Sequence, residues 1–205
     1  MSGFVGGYYR FSLWTMRLAY LNFCWVLFTI FGLVLFGFMP ATTAMFAVIR
    51  KWQQGQEDIP IFSTFWKTYR TEFFKTNGIG MILFAIGYLL IIEFNILRLQ
   101  DSIVYQIVSF SVLVTIVIYI VVVIYFFPIF VHFKLKFIDY LKWPFIIGIK
   151  HPILTVFILC VTGIVYYTTW ISIPALLFFF GGSVTALFTS WAVSQTFQMY
   201  EYNEG

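Results

Sequence analysis

Glu93 is the one carboxylate that falls inside an extended apolar stretch of this chain, and Asn95 and Arg98 follow it closely. An ionisable group at membrane depth is expensive to bury and by default marks a proton or solute path. Asn22 and Gln106 fall at similar depth in their own apolar segments, so Asn22, Glu93, Asn95 and Gln106 could line a polar outer cavity that recognises a proton or a small solute. The competing reading is a carboxylate at the interface, screened by water or by Arg98, because Glu93 lies only a turn or two from the end of its segment.

The other reactive side chains form no familiar constellation. His132 and His151 fall near the same membrane surface, but two imidazoles without nearby carboxylates or cysteines make a poor metal site. Interfacial hydrogen bonding is the simpler role for them. Gly181-Gly182-Ser183-Val184-Thr185 approaches the G-x-S-x-G pattern, yet its last glycine is threonine and no strand precedes it. A serine nucleophile would also need a base within hydrogen-bond reach, and both histidines belong nearer the inner surface. Cys24 and Cys160 sit in apolar runs and read as packing thiols. There is no P-loop and no H-E-x-x-H motif. The expectation is a non-enzymatic protein without metal or cofactor.

The elements that position these residues follow from composition. Hydrophobic residues make up 61% of the 205 and charged residues 10%, against about 25% charged in soluble domains. No Asp, Glu, Lys or Arg occurs from Leu18 to Ile49, from Ser102 to Phe133 or from His151 to Tyr200. Roughly 20 apolar residues cross a bilayer, so these runs are long enough for spans. Leu18 to Phe38 is too long for the core of a cleaved signal peptide and reads as retained. The net charge of +4 comes from basic residues beside apolar segments, which points to anionic lipid headgroups and away from nucleic acid.

The pattern predicts an all-α polytopic membrane bundle in a single domain, 1–205. Its five spans are Leu18 to Phe38, Gly78 to Leu99, Ile103 to Phe127, Pro152 to Thr169 and Pro174 to Phe197. The last charge-free run is too long for one helix, and a break ahead of Pro174 suits proline in a first turn and Trp170 at an interface. The alternative break is at Gly181-Gly182-Ser183. Helical connectors fill 40–76 and 134–150. The first is amphipathic, with Phe62, Phe65, Trp66, Tyr69 and Phe73 at helical spacing and basic residues mostly on other faces. Proline at a first helical turn lets the helix resume at Pro40 and carry Arg50-Lys51-Trp52 out of the membrane. Both halves read as span, proline, basic helix, span, a likeness of pattern with little residue identity.

Nine cationic residues in the two connectors (Arg50, Lys51, Lys67, Arg70, Lys75, Lys134, Lys136, Lys142, Lys150) face Arg10, Arg17 and Arg98 on the other side of a five-span chain. Positive-inside bias then puts the connectors and the C-terminus in the cytoplasm and the N-terminus outside the cell membrane. Gly182, Ala186, Ser190 and Ser194 recur every four residues. They form a small-residue face for packing within the bundle or for docking another membrane protein or a second copy.

The first third of the chain resembles the YesL-like family of bacterial integral membrane proteins, a domain of unknown function found mainly in Gram-positive bacteria. The likeness rests on Tyr9, Arg10, Trp14, Arg17, Leu18, Tyr20 and Asn22, then Gly37 to Thr42, Arg50-Lys51-Trp52, and Asp58-Ile59-Pro60 ahead of Phe65-Trp66. Genes of that family often stand beside sugar-uptake importers and polysaccharide-degrading enzymes. The resemblance therefore implies a role in carbohydrate uptake and carries no site residues with it. The expected function is an accessory or regulatory partner of a carbohydrate ABC importer, docking its membrane subunits through Arg50, Lys51, Trp66, Lys67 and Arg70. The alternatives are a small carrier or channel built on the polar outer cavity, or a membrane scaffold with no solute role.

Overall fold

The computed structural model describes residues 2–100 and 102–201. They form seven helices: α1 (Ser2–Phe31), α2 (Leu35–Gln53), α3 (Ile61–Arg98), α4 (Ile103–His132), α5 (Asp139–Lys150), α6 (Pro152–Ser172) and α7 (Pro174–Glu201). Among the described residues there is no strand. Five helices, α1, α3, α4, α6 and α7, are long and apolar enough to cross a membrane. Their outer faces carry large exposed side chains such as Phe31, Leu89, Ile107, Phe110, Ile153 and Trp170, which hydrocarbon accommodates and water does not. The break ahead of Pro174 occurs as expected, and Gly181-Gly182 lies inside α7.

The first predicted span is different. Leu18 to Phe38 is not one helix, because the chain reverses at Gly32-Leu33-Val34 and α2 returns along α1. Val34 N–H bonds Thr29 O and Leu33 N–H bonds Ile30 O, both at 2.9 Å. This is a Schellman closure, with Leu33 taking the left-handed position (φ 56°) that glycine usually fills. Val34 (φ 63°, ψ −61°) then centres a γ-turn closed by Leu35 N–H on Leu33 O at 2.7 Å. Each backbone N–H of the turn thus finds an internal acceptor, as a hairpin in hydrocarbon requires. Gly32 and Gly37 make the closeness possible: a Cβ on Gly32 would strike the Gly37 backbone, and one on Gly37 would strike the carbonyls of Phe28 and Thr29. Further along the pair, Trp25 Nε1 donates to Thr42 Oγ1 at 3.0 Å, and Trp14 meets Trp52 edge-on at 5.4 Å.

Pro40 therefore lies inside α2 rather than starting it. Its missing N–H leaves Phe36 O without the usual partner. Asn77 Nδ2 on α3 supplies one at 2.9 Å. The amphipathic connector and the second span are likewise one unbroken helix, α3, of 38 residues. No proline interrupts it, and the change at Asn77-Gly78 is in polarity, not in backbone. The second connector is built otherwise: α5 is short, separate and packed on the last third of α4, so the two halves differ in construction.

The α1–α2 reversal also corrects the sidedness. Arg17 pairs with Asp58 at 2.7 Å and Arg10 with Glu57 at 3.3 Å, which puts the first half of α1 at the same end as the loop after α2. At that end too are the close of α4, where Arg50 bonds Val131 O, and the far part of α7, where Phe197 packs on His132. Every Lys and Arg except Arg98 belongs to a segment gathered there. Arg10 and Arg17 are not opposite the connectors.

The core lies where α1, α2, the first half of α3 and the close of α4 meet. Phe28 is ringed there by Phe65, Trp66 and Tyr69 at 5.1–5.4 Å, and Phe46 stacks on Phe127 at 5.5 Å. A second cluster joins Tyr125, Ile129 and Ile147 to Ile158 and Val193. Beyond Leu83, α3 and α4 continue as a two-helix extension. Between Phe84 and Arg98, and between Ile103 and Ile120, Val112 alone is buried.

Candidate functional site

The polar features of the cationic end converge on one cavity of about 350 Å³ between α2, α3, the close of α4 and the start of α5. Two helices supply its stripes. Thr43, Ala47 and Arg50 stand at i, i+4 and i+7 on α2, and Thr68, Glu72 and Lys75 repeat that spacing on α3, so each trio shares one helical face. The antiparallel pairing of α2 with α3 turns the two faces toward each other.

Arg50 Nη1 donates to the carbonyl of Val131, one of the last-turn acceptors that α4 cannot satisfy internally. This places a cation at the negative end of the α4 dipole. Tyr140 organises the opposite wall and is almost wholly buried. Its hydroxyl donates to Phe133 O at 3.0 Å and accepts from Leu135 N–H at 3.0 Å and Lys75 Nζ at 3.2 Å. The Lys75 ammonium also lies 4.4 Å from the Tyr140 ring centre and 5.1 Å from that of Phe130, so it is held by neutral groups and ring faces. Lys134 completes the lining, giving three cationic side chains against the single carboxylate of Glu72. Thr43 lines the cavity with its hydroxyl fully buried, and that oxygen has no hydrogen-bond partner among the described residues. Such a wall attracts anions.

The predicted outer cavity is not assembled. Glu93, Asn95 and Gln106 are exposed on the α3–α4 extension. Asn22 is buried on α1 and serves α7: Nδ2 donates to Phe178 O at 2.7 Å, and Oδ1 accepts from Ser183 N–H at 3.0 Å. The separation follows from the reversal at Gly32, which keeps α1 with α2 and α7 while Glu93 and Gln106 lie on the extension. Most of the small-residue face is used inside the protein. Gly182 meets Asn22 and Trp25, Ala186 is in the core, Ser190 Oγ donates to Gln53 Oε1 at 2.9 Å, and Ser194 Oγ bonds Trp191 O at 2.8 Å. Gly182, Ala186 and Ser190 of that face thus pack within the bundle, while Ser194 is half-buried and bonded only to its own helix.

Of the expected docking residues, Arg50 and Lys51 are half-buried, whereas Trp66, Lys67 and Arg70 are exposed along α3. Ser183 Oγ bonds back to Phe180 O at 3.3 Å. His132 packs on Phe133 and Phe197 at 4.8 and 4.5 Å. Among the described residues, no three His, Cys, Asp or Glu come together as a metal site. Sequence reasoning missed the anion-attracting cavity, although its repeated stripe, threonine with a cation seven residues on, is visible in both helices.

No solved structure matches the chain. Three uncharacterized proteins of Bacillus subtilis (strain 168) do. YteU is 36% identical, covering 80% of this chain and 74% of the relative. YesV is 36% identical over 91% and 89%, and YesL is 37% identical over 88% and 85%. The family described as "Protein of unknown function, DUF624" matches residues 18–94, from the apolar half of α1 through most of the α3 arm of the extension. The chain belongs to that family of membrane-like helical proteins.

Proposed function

We propose that this protein is a non-enzymatic multi-pass membrane protein that acts from its cationic end, lying in the cytoplasm, as an accessory or regulatory partner of a carbohydrate ABC importer. The observation that carries this reading is the gathering of every Lys and Arg but Arg98 at one end of the bundle. Positive-inside bias assigns such an end, and with it the first half of α1 and the far part of α7, to the cytoplasm. The exposed ridge of Trp66, Lys67 and Arg70 on α3 offers a partner an aromatic anchor flanked by cations. The choice of a carbohydrate importer comes from the family resemblance. Anionic headgroups are the other neighbour of this end.

Purification of the tagged chain in mild detergent from cells grown on oligosaccharide tests the reading. Importer subunits should co-purify, and Trp66→Ala with Lys67→Glu and Arg70→Glu should lose them. Absence of importer subunits, together with unchanged oligosaccharide uptake in a deletion strain, refutes it. The carrier alternative draws less support, since Asn22 is bonded to α7 while Glu93, Asn95 and Gln106 are exposed on the α3–α4 extension.

A further inference from the structure

The cavity between Arg50, Lys75 and Lys134 has the charge, size and depth of a binding site, and we infer that it takes a phosphate group: that of an anionic phospholipid headgroup or of a soluble phosphoester. Three cations surround a space of about 350 Å³ with one carboxylate among them. An anion placed there gains charge-assisted hydrogen bonds from several directions. The donors stand on separate elements, Arg50 on α2, Lys75 on α3 and Lys134 after α4, which suits a tetrahedral group better than a planar one.

Lys75 is the most telling member. An ammonium held by a tyrosine hydroxyl and two ring faces is positioned without being neutralised. Thr43 adds an independent observation: its buried hydroxyl lines the same cavity and has no partner. A buried hydroxyl without a bond costs stability, and a bound phosphate oxygen would supply the acceptor. The depth fits both sources of phosphate. The apolar run of α4 ends at Phe133, directly before Lys134, so the cavity stands where the membrane hydrocarbon gives way to headgroups and water.

The full chain in uncharged detergent, and in nanodiscs of phosphatidylcholine with or without phosphatidylglycerol, provides the two arms of the test. The first titrates inorganic phosphate and glycerol 3-phosphate against acetate at equal ionic strength and reads the thermal midpoint. The second counts phosphatidylglycerol retained on the protein by native mass spectrometry. Phosphate-dependent stabilisation in the first arm identifies a soluble phosphoester as the source, and retention in the second identifies a headgroup. In whichever arm responds, Lys75→Met should weaken binding about tenfold or more, the loss of one charge-assisted bond. Thr43→Val should also weaken binding while leaving the ligand-free midpoint unchanged or higher, because it removes an unpartnered hydroxyl. Lack of response in both arms, a response to acetate equal to that to phosphate, or wild-type binding by Thr43→Val and Lys75→Met overturns the inference.

Discussion

Asn22 and Gly182 should be energetically coupled, and the sign of the coupling tests where α1 meets α7. Asn22→Ala removes the two bonds of its amide to Phe178 O and Ser183 N–H. Interhelical hydrogen bonds in membrane proteins average about 0.6 kcal/mol and reach about 1.7, so the pair contributes about 1–3 kcal/mol. Gly182→Ala places a Cβ 2.9 Å from Asn22 Oδ1 and 3.1 Å from the Trp25 ring. The Asn22 amide must shift, which weakens the same bonds and adds overpacking strain of about 1–3 kcal/mol. Once Asn22 is alanine the nearer of these obstacles is gone, and only the Trp25 contact remains to be eased. The double variant should therefore cost less than the sum of the singles by about 1–2 kcal/mol. Unfolding midpoints of the four proteins in a mild-detergent and SDS titration measure this. Strict additivity would mean that Asn22 does not touch α7 at Gly182, and the packing described for α1 would be wrong.

A parallel cycle concerns Pro40 and Asn77. Asn77→Leu should cost about 1 kcal/mol by orphaning Phe36 O, and Pro40→Ala should abolish that cost, because the new N–H takes the same carbonyl; thermal melts of the four proteins decide it. Leu33→Gly should raise stability by about 0.5–1 kcal/mol: the left-handed penalty of about 1–2 kcal/mol is relieved and partly offset by glycine's larger entropy loss. A lower midpoint for that variant would show that Leu33 does not hold a positive φ. Tyr140→Phe should lower stability by about 1–3 kcal/mol, since one hydroxyl serves Phe133 O, Leu135 N–H and Lys75. An unchanged midpoint would remove Tyr140 as the organiser of the cavity wall.

Long charge-free runs announced the apolar helices, and Trp170 with Pro174 announced the α6–α7 break, because both signals report the change of medium directly. The reversal at Gly32 gave no such signal. A turn in hydrocarbon needs no polar residues if its own backbone closes the hydrogen bonds, so Leu33 and Val34 stand where a water-exposed turn would carry glycine or asparagine. The spacing of Gly32 and Gly37 was the available clue. That one missed turn accounts for three of the other differences: it reverses α2, brings Arg10 and Arg17 to Glu57 and Asp58, and separates Asn22 from Glu93. It also sets Thr43 and Arg50 against Glu72 and Lys75, so the stripes were legible singly while the cavity between them was not. The continuity of α3 was hidden for the opposite reason, since the polarity changes at Asn77-Gly78 and the helix does not.

Labelling from outside intact cells tests the central claim, that the first half of α1, the loop after α2 and the connector after α4 share one cytoplasmic end. In a chain with Cys24 and Cys160 replaced by alanine, single cysteines at Ser12, Gln56, Lys136 and Ser102 would be exposed in turn to a membrane-impermeant maleimide. The cysteine at Ser102, at the far end of the α3–α4 extension, should label in intact cells, and the other three only after the membrane is opened. Labelling of the Ser12 position from outside while the Gln56 position stays protected would contradict the hairpin and the shared end built on it.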